Sequence, residues 1–187
     1  DGSYYSADFR SQLASLSDEI YKNDKMTAFA APETEGILLQ GVDAEQNFVE
    51  SDGFGLATKG GYFNSLPQDT LRVFIDRVAE ALGALGFQNE KDHPEVAPSQ
   101  FELNFKYTDI LHAADRIQVY KLICRQVAKS LGCTASFLPK PKMNINGSGM
   151  HTNISLSVDG KNIFYDKSKE SDVSEESRKF LTSILYY

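Results

Sequence analysis

The sequence predicts an α+β fold, an antiparallel sheet with helices on one face and a polar site on the other. Residues 101–107 and 150–158 alternate apolar and polar side chains, which is typical of half-buried strands. Residues 71–85 and 110–131 instead repeat apolar side chains every three or four positions, which is typical of amphipathic helices. An Asp-Gly pair at 159–160 indicates a hairpin. Hairpin strands with helices packed against one side form the simplest such layer.

Four segments carry apolar residues at helical spacing, and each has a residue that starts or stops helices. They are 9–20 after a Ser6 N-cap, 71–85 ending at Gly86, 110–131 ending at Gly132, and a run that begins at Ser174.

Five segments are predicted to be strands, although the alternation in the first of them is poor. They are 26–40, 101–107, 134–138, 150–158 and, after the hairpin turn, 162–165. No internal repeat or linker divides the chain, so residues 1–187 are predicted to form a single domain.

Composition restricts the class of protein. A chain of 187 residues with 41% hydrophobic content can bury one core, or one core plus an appendage. The net charge of −7 argues against nucleic-acid binding, which requires a basic face. No apolar run reaches membrane-spanning length and no signal peptide is visible, which favours a cytoplasmic protein. Cys124 and Cys133 are expected to be free buried thiols in a reducing compartment.

Two carboxylates are predicted to converge on one face of the sheet. Glu102 lies on the polar face of the strand at 101–107, and Glu95 precedes it by seven residues. An odd separation would place Glu95 on the opposite face of a straight strand. Pro98 and Ser99 supply a turn that brings both carboxylates together. Like charges held this close raise a pKa or require a counter-ion.

Other polar groups extend this candidate site. The strand at 150–158 carries His151 on its polar face, and the Asn-Gly-Ser-Gly loop before it can present backbone amides to an anion. Glu33 and Glu35 are two residues apart and point the same way in an extended segment. Oxygen ligands with one imidazole favour Mg²⁺ or Mn²⁺ over zinc. A divalent-metal site beside an anion-binding loop suits phosphoryl transfer but identifies no substrate.

Each of these patterns alone also has an ordinary structural explanation. Glu33 and Glu35 fit a solvated strand face, His151 fits a hydrogen-bonded surface residue, and 146–149 fits a plain hairpin loop. The order of the motifs is more specific. It reads Pro-Glu-x-Glu, Gly-Gly-Tyr-Phe, His-x-Glu-Val-Ala-Pro-x-Gln-x-Glu, Pro-Lys-Pro and Asn-Gly-Ser-Gly-Met-His-x-Asn-x-Ser, at 32–35, 60–63, 93–102, 139–141 and 146–155.

This series of motifs resembles the glutamine synthetase family, over about residues 32–166, and within it the shorter form of the bacterial type I branch. The resemblance implies half of that family's catalytic barrel, and a reaction in which ATP phosphorylates the γ-carboxylate of glutamate and ammonia displaces the phosphate. It also implies Mg²⁺ or Mn²⁺ as cofactor and the following residue roles. Glu35, Glu95 and Glu102 would hold the metal nearer glutamate, Glu33 and His151 the metal nearer ATP, Asn146 and Gly147 would contact glutamate, and Glu90, Asn153 and Ser155 would contact ATP.

Two departures from the family pattern concern the acceptor. Pro94 stands where the family usually has a second histidine, and Gly36 where it has an aromatic residue. Neither position is a metal ligand in the family, but a larger amine remains an alternative to ammonia. A non-catalytic relative or structural fragment is the alternative from another class. A metal-dependent phosphohydrolase outside the family is a third.

The ends of the chain favour a piece of a longer protein. It opens at Asp1 without methionine and stops within an apolar run at 180–187. The resemblance implies a small N-terminal domain before this region and a second catalytic half after it. That second half would bring the catalytic residues, the arginines for phosphate and glutamate, and a further metal-binding glutamate. The resemblance also implies a homo-dodecamer.

Overall fold

The computed structural model describes residues 5–48 and 53–187. Its helices and strands follow one another in this order: α1 Phe9–Asp24, β1 Met26–Gln40, α2 Thr70–Ala84, β2 Asn89–Pro94, β3 Gln100–Phe105, β4 Thr108–Asp109, α3 Ile110–Ser130, β5 Cys133–Ser136, β6 Met150–Val158, β7 Lys161–Asn162 and α4 Glu175–Tyr186, with a 3₁₀ turn at Glu170–Asp172. The described residues group into two compact units, one containing 5–30, 107–114 and 153–187 and the other containing 31–48, 53–106 and 115–152.

The strands form an antiparallel sheet, which confirms the predicted α+β class. Neighbouring strands are ordered β2-β3-β1-β6-β7, and β4 and β5 also pair with β1. The long strand β1 occupies the range predicted from the sequence. Two strands were not predicted. In β2, Asn-Glu-Lys-Asp-His-Pro has no apolar alternation, and it is extended because it pairs with β3. β4 is a two-residue pairing with β1.

The main core of the second unit lies between the sheet and the helices α2 and α3. Phe101 and Leu103 on β3 are 0% and 1% exposed and pack with Leu38 of β1. Apolar residues of both helices contact this same sheet face, and they are Leu71, Phe74, Ile75, Val78, Leu82, Tyr120, Cys124 and Ala128. The helical spacing read from the sequence therefore identified the buried stripes.

A second, smaller cluster lies on the other sheet face. Ile37 and Leu39 of β1 pack there with Phe54. Because side chains alternate along a strand, these two residues share their face with Glu33 and Glu35. This face of β1 therefore carries carboxylates in the middle of the strand and apolar side chains at its C-terminal end.

In the first unit, the predicted cap of α1 is wrong. Asp8, not Ser6, is the N-cap, and its carboxylate accepts hydrogen bonds from the backbone N–H groups of Arg10 and Ser11. The chain starts the helix two residues later than a Ser6 cap would require, and Asp is at least as good an N-cap as Ser. Ser6 contributes its carbonyl, which accepts from the Gln12 amide.

The hairpin and the last helix of this unit follow the sequence. Asp159 and Gly160 both have positive φ angles of 49° and 74°, the backbone of a two-residue type I′ turn. Strand β7 ends at Asn162, short of the predicted Tyr165. Ser174 caps α4, accepting from the Ser177 N–H as its position predicts.

Both cysteines are free and buried, as predicted. Burial raises the pKa of the Cys124 thiol far above its ordinary value, so this thiol stays protonated and unreactive. None of the helices in the described part of the chain is long and apolar enough to cross a membrane.

Candidate functional site

A row of polar side chains crosses three strands of the second unit. Glu35 on β1 lies directly opposite Glu102 on β3, and Glu102 lies opposite His93 on β2. Directly opposed residues of antiparallel strands project to the same face. The neighbouring row is Gly36, Phe101 and Pro94, and it faces the helices, since Phe101 belongs to the main core.

The turn between β2 and β3 brings Glu95 to the same place. Ser99 adopts a left-handed φ of 63°, and the Gln100 N–H donates to the Ala97 carbonyl at 3.1 Å. The Glu95 N–H donates to the Gln100 carbonyl at 2.8 Å. The buried Ser99 hydroxyl donates to the Thr58 carbonyl and accepts from the Thr58 N–H. This is the turn that the Pro-Ser pair predicts, and it offsets the odd spacing of the two glutamates.

One group of three potential metal ligands exists within residues 5–48 and 53–187. His93, Glu95 and Glu102 each offer a ligand atom, and these atoms lie within 4.8 Å of one another. The His93 Nδ1 lies 3.4 Å from Glu95 Oε1, and its Nε2 lies 4.0 Å from Glu102 Oε1. Glu102 is 6% exposed and accepts from the Asn104 amide at 2.6 Å.

This cluster holds two carboxylates close together, and each disfavours the negative charge of the other. Burial raises the pKa of Glu95, and the neighbouring Glu102 carboxylate raises it further, against the opposing effects of the Val96 N–H and His93. The buried Nε2 of His93 has no hydrogen-bond partner. Two carboxylates around an unsatisfied ring nitrogen form a donor set that fits a divalent cation.

Glu35 is held differently. Its Oε2 accepts from the Gln100 amide at 2.8 Å and from the Gly149 N–H at 3.0 Å. The amide that loop 146–149 offers to an anion is therefore taken, at Gly149, by a carboxylate of the chain itself. Both bonds go to the same oxygen, so Oε1 remains available to an outside partner.

Glu33 and His151 form a second pair, with Glu33 Oε2 at 3.7 Å from His151 Nδ1. The His151 side chain is 83% exposed and Glu33 is 35% exposed. This pair is more accessible than the Glu95–Glu102 cluster, and neither Glu33, Glu35 nor His151 belongs to the group of three defined above.

The remaining predicted contacts occupy varied settings. Asn146 is exposed in its loop, and Gly147 lies so close to Pro139 that a Cβ would be 2.6 Å from the Pro139 carbonyl oxygen. Only glycine fits there. Glu90 is the extra residue of a β-bulge in β2, which redirects its exposed side chain. Asn153 and Ser155 lie on β6 within the first unit.

Sequence reasoning missed two side chains of the site. His93 was noted only as part of a motif, and Gln100 was given no role. Gln100 is 1% exposed, and its amide donates both to Glu35 Oε2 and to the Gly147 carbonyl at 2.9 Å. Its own oxygen accepts from the Ala97 N–H. The sequence did contain a signal for Gln100: it is two residues from Glu102, and residues two apart on a strand project from the same face.

Replacing Gln100 with Leu is expected to cost about 1–3 kcal/mol, because Glu35 and the Gly147 carbonyl lose a buried donor. The loop at 146–149 should open more often, so its amides should exchange hydrogen faster. Urea unfolding and hydrogen exchange measure both effects. The matched control is Gln126→Leu on the exposed side of α3, which should change neither. Unchanged exchange at 146–149 in Gln100→Leu would contradict this positioning role.

The fold and the site define a class of protein, an α+β sheet domain that carries a carboxylate–imidazole cluster on the face opposite its helices. The family model for the glutamine synthetase catalytic domain matches residues 6–187. The chain therefore belongs to the glutamine synthetase family.

Relatives and solved structures agree with this assignment. The chain is 36% identical to glutamine synthetases of Methanosarcina mazei and Thermus thermophilus over 185 residues, covering 99% of the chain and 40% of each relative. It is 28% identical to Plasmodium falciparum glutamine synthetase, with a TM-score of 0.79 over 95% of this chain and 40% of that one. A GmaS/ADP complex gives 27% identity and a TM-score of 0.77, covering 92% of this chain and 39% of that one. The chain thus spans about 40% of the length of the curated relatives it matches.

Proposed function

We propose that this chain is the N-terminal half of the catalytic domain of a longer, ATP-dependent glutamate–ammonia ligase. The carrying observation is the convergence of Glu95, Glu102 and His93 around one point, next to Glu35 in the same row of side chains. In the reaction, the γ-carboxylate of glutamate attacks the γ-phosphorus of ATP and ADP leaves. Ammonia then attacks the acyl carbon of γ-glutamyl phosphate and phosphate leaves.

The residues divide into two metal-binding sets. Glu35, Glu95 and Glu102 would hold Mg²⁺ or Mn²⁺ nearer glutamate, and Glu33 with His151 would hold a second ion nearer the ATP phosphates. The ions supply positive charge that offsets the repulsion between anionic glutamate and anionic ATP.

The other side chains bind and orient the substrates. Asn146 and Gly147 would contact glutamate, since their loop is fixed by the Gln100 amide. Glu90, Asn153 and Ser155 would contact ATP. Phosphoryl transfer depends on positioning and charge stabilisation, so the rigidity of this loop and of the row formed by Glu35, Glu102 and His93 matters more than any single acid or base.

The longer protein is proposed to be a cytoplasmic homo-dodecamer of the bacterial type I branch. On this proposal the 187-residue polypeptide alone has no measurable synthetase activity. The arginines that neutralise transferring phosphate would lie in the remaining length of the protein, and loss of one such cation costs roughly a thousandfold or more in rate.

The test assays the longer protein with ATP, glutamate and a panel of amines, following phosphate release. We expect release that requires glutamate and is fastest with ammonia, and its loss in Glu95→Ala. Glu19→Ala, on the exposed side of α1, is the matched control and should keep full activity. Faster release with a larger amine would instead assign a γ-glutamyl-amine ligase. If no amine supports phosphate release, the longer protein is a non-catalytic relative.

A further inference from the structure

We propose that His93 is a nitrogen ligand of the cation that Glu95 and Glu102 hold, and that its imidazole gives this site a preference for Mn²⁺ over Mg²⁺. The inference rests on the proposed function, because it concerns the same site. It adds a side chain to the ligand set of Glu35, Glu95 and Glu102, and it predicts a metal preference that three carboxylates alone would not produce.

The hydrogen bond that the His93 ring makes determines which of its nitrogens carries the proton. Nδ1 lies 3.0 Å from the Pro94 carbonyl oxygen. A carbonyl oxygen can only accept, so Nδ1 carries the hydrogen and donates it. In the neutral ring this leaves the lone pair on Nε2.

The lone pair on Nε2 lies close to another acceptor, the Glu102 carboxylate. Nε2 is buried and without a hydrogen-bond partner, and Glu102 Oε1 is 4.0 Å away. Glu95 is the third member of the group, and its Oε1 lies 3.4 Å from the other ring nitrogen, Nδ1. Ionised carboxylate oxygens and the Nε2 lone pair can only accept hydrogen bonds. Burying them side by side is therefore unfavourable unless a cation lies between them.

The distances fit a shared ion. Two ligands bound at about 2.1 Å from one cation can be at most about 4.2 Å apart. The 4.0 Å between His93 Nε2 and Glu102 Oε1 is within that limit. These two atoms would therefore need no rearrangement of the backbone to share an ion.

The ring is also oriented as metal-binding histidines are. Ligating imidazoles usually donate their second N–H to a carbonyl or carboxylate, which fixes the tautomer and raises the basicity of the ligating nitrogen. The Pro94 carbonyl has this position. The Tyr62 ring meets the His93 ring edge-on, with centroids 5.9 Å apart, and limits its rotation.

The imidazole should change which metal binds best. Carboxylates suit Mg²⁺ and Mn²⁺ alike, whereas imidazole suits transition metals and Mg²⁺ binds nitrogen poorly. A ligand set of three carboxylates and one imidazole should therefore bind Mn²⁺ more tightly than Mg²⁺. Removing the imidazole should cost Mn²⁺ more affinity than Mg²⁺.

The alternative is an imidazolium that carries hydrogens on both nitrogens and forms an ion pair with Glu102. In that case Nε2 is a donor, the ring repels a metal ion, and His93→Gln leaves Mn²⁺ affinity equal or higher. The two arrangements thus predict opposite changes.

The experiment uses Mn²⁺ as probe and pulsed electron paramagnetic resonance to detect nitrogen bound to the ion. The chain has three histidines, so the other two can be controlled. In His151→Gln, the nitrogen coupling should persist, because His93 remains. In His93→Gln/His151→Gln it should disappear, and Mn²⁺ affinity should fall about tenfold, with a smaller loss for competing Mg²⁺. His112→Gln should change nothing, since His112 is exposed and pairs with Asp109.

Three outcomes separate the failure of this inference from failure of the proposed site. If Glu102→Gln abolishes Mn²⁺ binding while His93→Gln leaves affinity unchanged and no nitrogen coupling is seen in His151→Gln, the role of His93 is overturned and the carboxylate site stands. If His93→Gln raises Mn²⁺ affinity, the imidazolium arrangement is correct and the inference is wrong. If Mn²⁺ binds equally to the chain and to Glu102→Gln, the metal site itself fails, and the inference fails with it. Circular dichroism of each variant establishes that it is folded.

Discussion

Replacing Glu102 with Gln is expected to weaken Mn²⁺ binding by at least about 100-fold while stabilising the metal-free chain. Loss of a group that only supports a metal ligand already costs 10–100-fold in affinity, and a direct ligand should cost no less. The gain in stability arises because the amide removes the buried Glu102 charge from beside the half-buried Glu95 carboxylate and can donate to Glu95. We expect an increase of about 0.5–2 kcal/mol in the free energy of unfolding, typical of relieving an unfavourable interaction at a functional site.

The stability gain should depend on pH in a defined direction. The pKa of Glu95 is raised by burial and by Glu102, so the fold favours its protonated form. A raised carboxyl pKa contributes stability that is complete below the ordinary value of 4.5 and is lost as the pH rises through the folded-state pKa. The difference between Glu102→Gln and the original chain should therefore be larger near neutral pH than below pH 4.5.

Two measurements check this prediction, both on the 187-residue chain. Urea unfolding in the presence of a chelator gives the stability of the metal-free form at each pH, and calorimetric titration gives the Mn²⁺ affinity. Glu80→Gln, which changes an exposed carboxylate on α2, is the control and should leave Mn²⁺ binding unchanged. A Glu102→Gln variant that is less stable at neutral pH would show that the two carboxylates do not oppose folding.

Replacing Phe101 with Ala is expected to cost about 3–5 kcal/mol, because it opens a cavity in the main core. The Phe101 ring is 0% exposed and packs against Phe74, with ring centroids 4.7 Å apart. Phe137 approaches it edge-on at 6.0 Å. A domain of this size is stable by only about 5–15 kcal/mol, so the loss is a large fraction of the total. Urea unfolding measures it, and Phe101→Leu provides a milder variant if the Ala variant does not fold.

The same ring explains Gly36. A Cβ at Gly36 would lie 2.5 Å from Phe101 Cζ, so Gly36→Ala should cost about 1–3 kcal/mol by overpacking. In the Phe101→Ala background the obstruction is gone, and the cost of Gly36→Ala should nearly vanish. The control is Gly83→Ala in α2, where a Cβ has open space and should stabilise the helix by about 0.5–1 kcal/mol. Additive costs for Gly36→Ala and Phe101→Ala would show that the two residues are not in contact.

The Phe101 ring of the neighbouring strand fills the space beside Gly36, so Gly36 lies on the sheet face that packs against the helices.

The sequence by itself determined most of the elements and the core. The periodicity of 71–85 and 110–131 identified the apolar stripes of α2 and α3, and the alternation at 101–107 separated Phe101 from Glu102. These features depend on spacing along a single element, which the sequence contains directly. The Pro98–Ser99 turn and the Asp159–Gly160 hairpin were predictable for the same reason, since turn chemistry is local.

Tertiary structure decided what no single element contains. The polar segment Asn89–Pro94 is a strand only because β3 offers it hydrogen-bonding partners, and that pairing is what places His93 opposite Glu102. Gln100 is a link in the site only because Glu35 and Gly147, 65 and 47 residues away, lie within reach of its amide. The sequence is enough to identify the carboxylates that can hold a metal ion. The register of the strands decides which side chains share their face, and which carboxylate oxygens remain free to bind the ion.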